Sequence, residues 1–251
     1  MSIIHSFDSA SPEILTADRF IPKIDKFPEV LISCWGESIH KLMEEKFELL
    51  EISHSSMASW RIPIYVFDYK GTRLGFYHSM LGGPASVAIM EEVIAMGGRK
   101  FLFFGSCGAL QSELTAGKVV VPTEAYRDEG TSYHYAPASD YIEVKTADKL
   151  CSVLDELKIP YLKSKTWTTD GVYRETMDNI AKRRDAGCAV VDMECASIMA
   201  AAQFRGVEAY QFLFAADSLD GAQWDFRTLG NMPSDSREQI LTVALESAIK
   251  L

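Results

Sequence analysis

Hydrophobic positions along this chain switch repeatedly between runs suited to strands and spacings suited to helices. Pro28 to Cys34 forms a first apolar run that predicts a core strand, and Ile39, Leu42, Met43, Phe47 and Leu50 recur at helical spacing across 37–51. Residues 63–70 and 73–80 predict two strands around a turn at Gly71. Gly82-Gly83-Pro84 breaks the pattern, and Pro84 suits the first turn of a helix that runs to Met96 and stops at Gly97-Gly98. Phe101 to Phe104 is a continuous apolar run of the kind buried on both faces of a sheet. It leads directly into Gly105-Ser106-Cys107-Gly108, which reads as a turn.

The same alternation continues downstream. Strands are predicted at 119–122, 161–169, 189–191 and 207–216, with helices at 147–157, 179–185 and 236–251. Residues 221–233 are irregular, and residues 1–27 read as an arm lying across the surface or onto a neighbouring subunit. Strands alternating with helices, without repeats or a linker, predict one α/β domain over residues 1–251, with a mixed sheet flanked by helices.

Composition narrows the function classes. With 47% hydrophobic residues the chain can bury a large core, and a net charge of −10 argues against a nucleic-acid or anionic-membrane surface. One small anionic substrate remains compatible with that charge, because a few local donors can hold it. No apolar run reaches membrane-spanning length and the N-terminus has no basic-then-apolar pattern, so a cytoplasmic protein is expected. The five cysteines lack a C-x-x-C pair and the five histidines lack zinc spacing, so free thiols and no metal are expected.

Candidate chemistry collects where strands end. Ligands of open α/β sheets bind beyond the carboxyl ends of strands, and four such ends here are unusual: Gly105-Ser106, Thr169-Asp170, Asp192–Glu194 and Ala216-Asp217. Asp192 has a plain alternative as a helix cap. Glu194, flanked by Met193, Cys195 and Ala196, is poorly placed for simple solvation and needs a partner. Gly105-Ser106-x-Gly108 allows backbone donors to approach an anion, with Ser106 as a further donor.

Taken together, Gly105-Ser106-Cys107-Gly108-Ala109, the 128–135 loop, Asp192-Met193-Glu194-Cys195-Ala196 and Ala215-Ala216-Asp217 resemble, in order, the signatures of the nucleoside phosphorylase superfamily. That resemblance implies a single-domain three-layer αβα sandwich with a mixed, partly barrel-like central sheet. It implies that Glu194 holds the ribose hydroxyls, with Met193, Asp192 and His5 around the sugar. Ser106, Gly36 and Arg61 would bind phosphate. Asp217 would protonate purine N7, with Tyr173, Val172, Cys107 and Gly108 around the base.

The activity implied is phosphorolysis of a purine nucleoside to free base and ribose 1-phosphate, with inorganic phosphate as co-substrate, no other cofactor, and a homo-oligomer (dimer or hexamer) as the assembly. Two features depart from the pattern: His40 and Phe103 stand where phosphorolytic members carry arginines. Neither side chain replaces a bidentate guanidinium, so a hydrolytic nucleosidase is the alternative, with Arg127, Arg174 and Arg227 as candidate replacements. The Gln-x-Arg pair of uridine phosphorylases is also absent, the chain reading Arg174-Glu175-Thr176-Met177. This favours purine over uridine. A nucleoside-binding protein without catalysis is the third reading.

Overall fold

A computed structural model describes residues 2–251. Its strands are β1 (Val30–Cys34), β2 (Leu50–Met57), β3 (Trp60–Tyr69), β4 (Thr72–His78), β5 (Lys100–Ala109), β6 (Val119–Asp128), β7 (Tyr141–Glu143), β8 (Tyr161–Thr169), β9 (Cys188–Asp192) and β10 (Glu208–Ser218). The helices are α1 (Glu37–Lys46), α2 (Gly83–Met96), the short α3 (Ser112–Thr115), α4 (Ala147–Glu156), α5 (Met177–Asp185), α6 (Cys195–Arg205) and α7 (Ser234–Ala248).

The mixed sheet runs β10-β6-β8-β9-β5-β1-β4-β3-β2, and a further β10–β5 pairing closes its first five strands into a barrel. Strands β1, β4, β3 and β2 extend from the barrel as an open wing. Helix α2 packs on α6, while α7 packs on α1 and α4, which completes the three-layer αβα arrangement. One large apolar cluster joins barrel, wing and helices, and Phe101, Leu102, Phe103 and Phe104 lie at its centre with no exposure.

Two expectations need correction. The helix predicted to reach residue 51 ends at Lys46, and the chain turns extended at Phe47 (φ −130°, ψ 146°). The Phe47 ring packs against Phe67 and Tyr69, and Leu50 onward pairs antiparallel with β3 as an edge strand. Helical spacing at Phe47 therefore reflected a core contact rather than helix, and Leu50 is exposed on the edge strand.

The Gly105–Gly108 segment is not a turn but a continuation of β5. Residues 100–104 of β5 pair with β1 and β10, Gly105 to Gly108 continue the pairing with β10, and Gly108 and Ala109 also pair antiparallel with β9 as the strand bends around the barrel. Close packing explains the glycines: a Cβ on Gly105 would lie 2.6 Å from the Trp35 ring, and one on Gly108 2.5 Å from Leu219.

The N-terminal arm lies on its own chain. Its turn Ile3–His5 packs on the Thr131–His134 turn, Phe7 meets Phe204 edge-on, and Glu13 pairs with Arg205. Residue 1 lies outside the described residues.

Candidate active site

Helix α6 begins at the two acids, and the structure separates their roles. Asp192 ends β9 with its carboxylate engaged on both oxygens. Oδ1 accepts from the hydroxyls of Thr168 (2.7 Å) and Thr166 (3.4 Å), and Oδ2 accepts from the Cys195 N–H (2.9 Å) and Gln211 Nε2 (3.4 Å). It thereby caps α6 and ties β8, β9 and β10 together. Burial pushes its pKa up to about 6 against the pull of these donors.

Glu194 occupies the N-cap position, and its carboxyl turns away from the helix. Oε1 accepts from the Gly82 N–H (2.7 Å) and Oε2 from the Met193 N–H (3.3 Å). Both are backbone donors, so a buried carboxyl is left with accepting capacity and no cation. Burial, with the Asp192 charge behind it, pushes Glu194 up to about 8. Ligand hydroxyls donating to it would favour its ionised form.

Asp217 lies near the end of β10, 8% exposed, where the β10–β5 register shifts between Ala215 and Asp217. The following loop folds back over the strand through paired backbone bonds between Ser218 and Asp225 (2.9 and 3.0 Å). That fold delivers the Trp224 indole N–H to Asp217 Oδ2 at 2.6 Å. Burial raises the Asp217 pKa, and the Trp224 bond opposes the rise. Its other oxygen faces Gly108, where a Cβ would lie 3.6 Å away.

A second acid joins it. Glu175, just past the Val172–Arg174 turn, is pushed up to about 7 by burial and then by the Asp217 charge. Sequence reading passed over Glu175 because nothing local distinguishes it. Only the fold of the loop after β8 brings it towards β10.

Ser106 opens onto a cavity of about 390 Å³ between the ends of β1 and β5 and the loop before α7. Gly36, the N-cap of α1, lines the same cavity, so these two predicted phosphate residues are brought together. Arg61 is not in that lining; it is exposed on β3 and ion-paired to Glu51.

His40 and Phe103 turn into the core. His40 stacks on His78 (5.1 Å) and packs by Phe76, while Phe103 is fully buried against Trp35 and Phe101. The three replacement arginines also lie elsewhere. Arg127 is buried and bonded to the Ala136 and Pro137 carbonyls, Arg174 is exposed, and Arg227 bonds Ser112 and Asp225.

The remaining base and sugar candidates are spread out. Cys107 packs inside the barrel with Val120, Val190 and Leu213, so its thiol faces away from the cleft. Val172 (44% exposed) and Tyr173 (91% exposed) project from the surface, and Met193 is half-buried beside Glu194. His5 is exposed in the arm, near the Thr131–His134 turn of its own chain. Among the described residues no group of His, Cys, Asp and Glu is arranged to hold a metal, and no helix is long and apolar enough to cross a membrane.

A sequence model of the phosphorylase superfamily matches residues 30–250. The chain belongs to that superfamily. A guanosine phosphorylase of Halorubrum lacusprofundi is 30% identical over 57% of this chain and 60% of its own length. An uncharacterized protein of Acanthamoeba polyphaga mimivirus is 27% identical over 61% of this chain and 60% of its own. A purine nucleoside phosphorylase of DeoD type from Bacillus cytotoxicus is 26% identical over 72% of this chain and 78% of its own. The chain thus matches less than two thirds of the length of the first two relatives.

Proposed function

We propose that this chain cleaves the N-glycosidic bond of a purine nucleoside by phosphorolysis, giving free base and ribose 1-phosphate. The observation that carries this reading is Asp217, a buried acid of raised pKa held by Trp224 opposite Gly108. As the C1′–N9 bond breaks, its electron pair moves onto the base, and a carboxylic acid at N7 neutralises the developing charge. Phosphate forms the new bond to C1′ from the opposite face. Glu194, ionised by the 2′- and 3′-hydroxyls that donate to it, stabilises the oxocarbenium-like sugar between the two events. Asp192, already bonded to four donors, positions α6 and hence Glu194.

Inorganic phosphate is the co-substrate in this reading, and no cofactor is needed. The names of the guanosine and purine nucleoside phosphorylase relatives support a purine. Exposed Leu81, Tyr173 and Met177, near residues of the cleft, support a second copy of the chain as partner.

The half-buried His40, stacked on His78, and the fully buried Phe103 favour one further reading, hydrolysis with water as nucleophile. Incubation with guanosine, inosine, adenosine and uridine, each with and without phosphate, separates the two. Phosphate-dependent release of a purine base is expected, and equal release without phosphate would leave hydrolysis.

A further inference from the structure

The cavity beside Ser106 holds a set of donors that no part of the chain satisfies. The Ser106 hydroxyl makes no hydrogen bond among the described residues. The same holds for the N–H groups of Glu37 and Ser38, because the first intrahelical bonds of α1 start from Ile39 and His40 to the Gly36 carbonyl and Gly36 offers no side chain as cap. The fourth is the Arg237 guanidinium. It comes from the first turn of α7, is half-buried, and pairs with no carboxylate among the described residues. The two other charged residues of this wall neutralise one another, Lys41 bonding Glu37 at 2.6 Å. The rest of the lining is largely apolar, including Phe104, Phe214 and Met232.

This arrangement has a definite chemical complement. Several donors, one of them a guanidinium, line a cavity of about 390 Å³, large enough for a tetrahedral oxyanion. The positions where phosphorolytic relatives are expected to carry arginines hold the half-buried His40 and the buried Phe103, and the one guanidinium in the cavity lining among the described residues is that of Arg237.

We infer that Arg237 is the residue that binds the phosphate co-substrate, replacing from α7 the guanidiniums absent at positions 40 and 103. The inference rests on the phosphorolytic reading above and identifies how this chain would meet its charge requirement. Ser106 and the first N–H groups of α1 bond the remaining phosphate oxygens. Arg237 belongs to the helix that follows the loop from Leu219 to Pro233 after β10, which carries Asp217, so the phosphate and base ends of the site are linked by one continuous stretch of chain.

The test uses the full chain and its Arg237→Gln and Arg237→Lys variants. Thermal melting with inorganic phosphate alone reads binding, and steady-state kinetics with guanosine or inosine reads function. In the unsubstituted chain, phosphate raises Tm without nucleoside. In Arg237→Gln that rise is lost and KM for phosphate increases roughly 10- to 100-fold, the range for one charge-assisted donor. KM for the nucleoside stays within about twofold, the independence expected of a contact the nucleoside does not share. Arg237→Lys recovers part of the phosphate affinity, because it keeps the charge and loses the fork.

An unchanged phosphate KM in Arg237→Gln, with phosphorolysis intact, overturns the inference alone. Base release independent of phosphate in the unsubstituted chain, with no Tm rise, overturns the phosphorolytic reading and the inference with it.

Discussion

At the scale of single residues, the account turns on which carboxyls hold protons. Asp217 is raised by burial, so its acid form persists to higher pH than that of a solvated aspartate. As a general acid it works below its pKa, and kcat falls as pH rises through that value. Asp217→Asn should lower kcat for guanosine or inosine about 10²- to 10⁴-fold, the usual worth of general acid help, and should remove that limb of the pH profile. With 7-methylguanosine, whose N7 already carries a positive charge, the same variant should lose little. Equal losses on both substrates would place Asp217 outside the protonation step.

Stability follows the same logic at Asp192 and Glu194. Both are raised above their ordinary values of 3.8 and 4.5, to about 6 and about 8, so the folded chain holds protons that the unfolded chain releases. Their contribution is fully present below the ordinary values and is lost as pH rises through about 6 and then about 8. Glu194→Gln should therefore show a flatter Tm between about pH 6 and about pH 8 than the unsubstituted chain. A parallel decline in both proteins would show that Glu194 does not titrate there.

At the scale of elements, helix α6 depends on a strand acid for its start. Thr168 binds both Asp192 (2.7 Å) and the Ala196 N–H (3.1 Å) through one hydroxyl. Thr168→Val should cost about 1–3 kcal/mol, the range for leaving buried polar groups unpaired, and should raise nucleoside KM by tilting Glu194. Phe103→Ala should cost about 3–5 kcal/mol, on the order of 10 °C in Tm for a chain of this size. A small loss there would mean that position 103 is not the packed core position described above.

Strands were legible where burial is two-sided, as at Phe101–Phe104 and Val190-Val191, because an apolar run needs no partner to be recognised. Edge strand β2 was not, because its pairing with β3 rather than its own pattern defines it. Glycines at 105 and 108 read as a turn, since sequence does not show the Trp35 and Leu219 side chains that require them. Of the candidate site, the acids at strand ends were legible as acids, because they interrupt apolar runs. Arg237 and Glu175 were missed because each acquires its surroundings only from distant elements.

At the scale of the whole molecule, the phosphorolytic reading requires a chain of net charge −10 to recruit its anion through a local pocket rather than an overall field. Its surface also carries large exposed apolar side chains, among them Ile14, Leu15, Phe20, Tyr173 and Met177. Such a surface is expected to be covered by another copy of the chain. Light scattering coupled to gel filtration should give a mass that is a multiple of 28.0 kDa. A strict monomer with full activity would remove the intersubunit part of the account.

The most direct test of the central claim is the identity of the sugar product. Phosphorus NMR of a reaction containing inosine or guanosine and inorganic phosphate should show ribose 1-phosphate accumulating in step with the free base. Free ribose, with the phosphate signal unchanged, would contradict phosphorolysis.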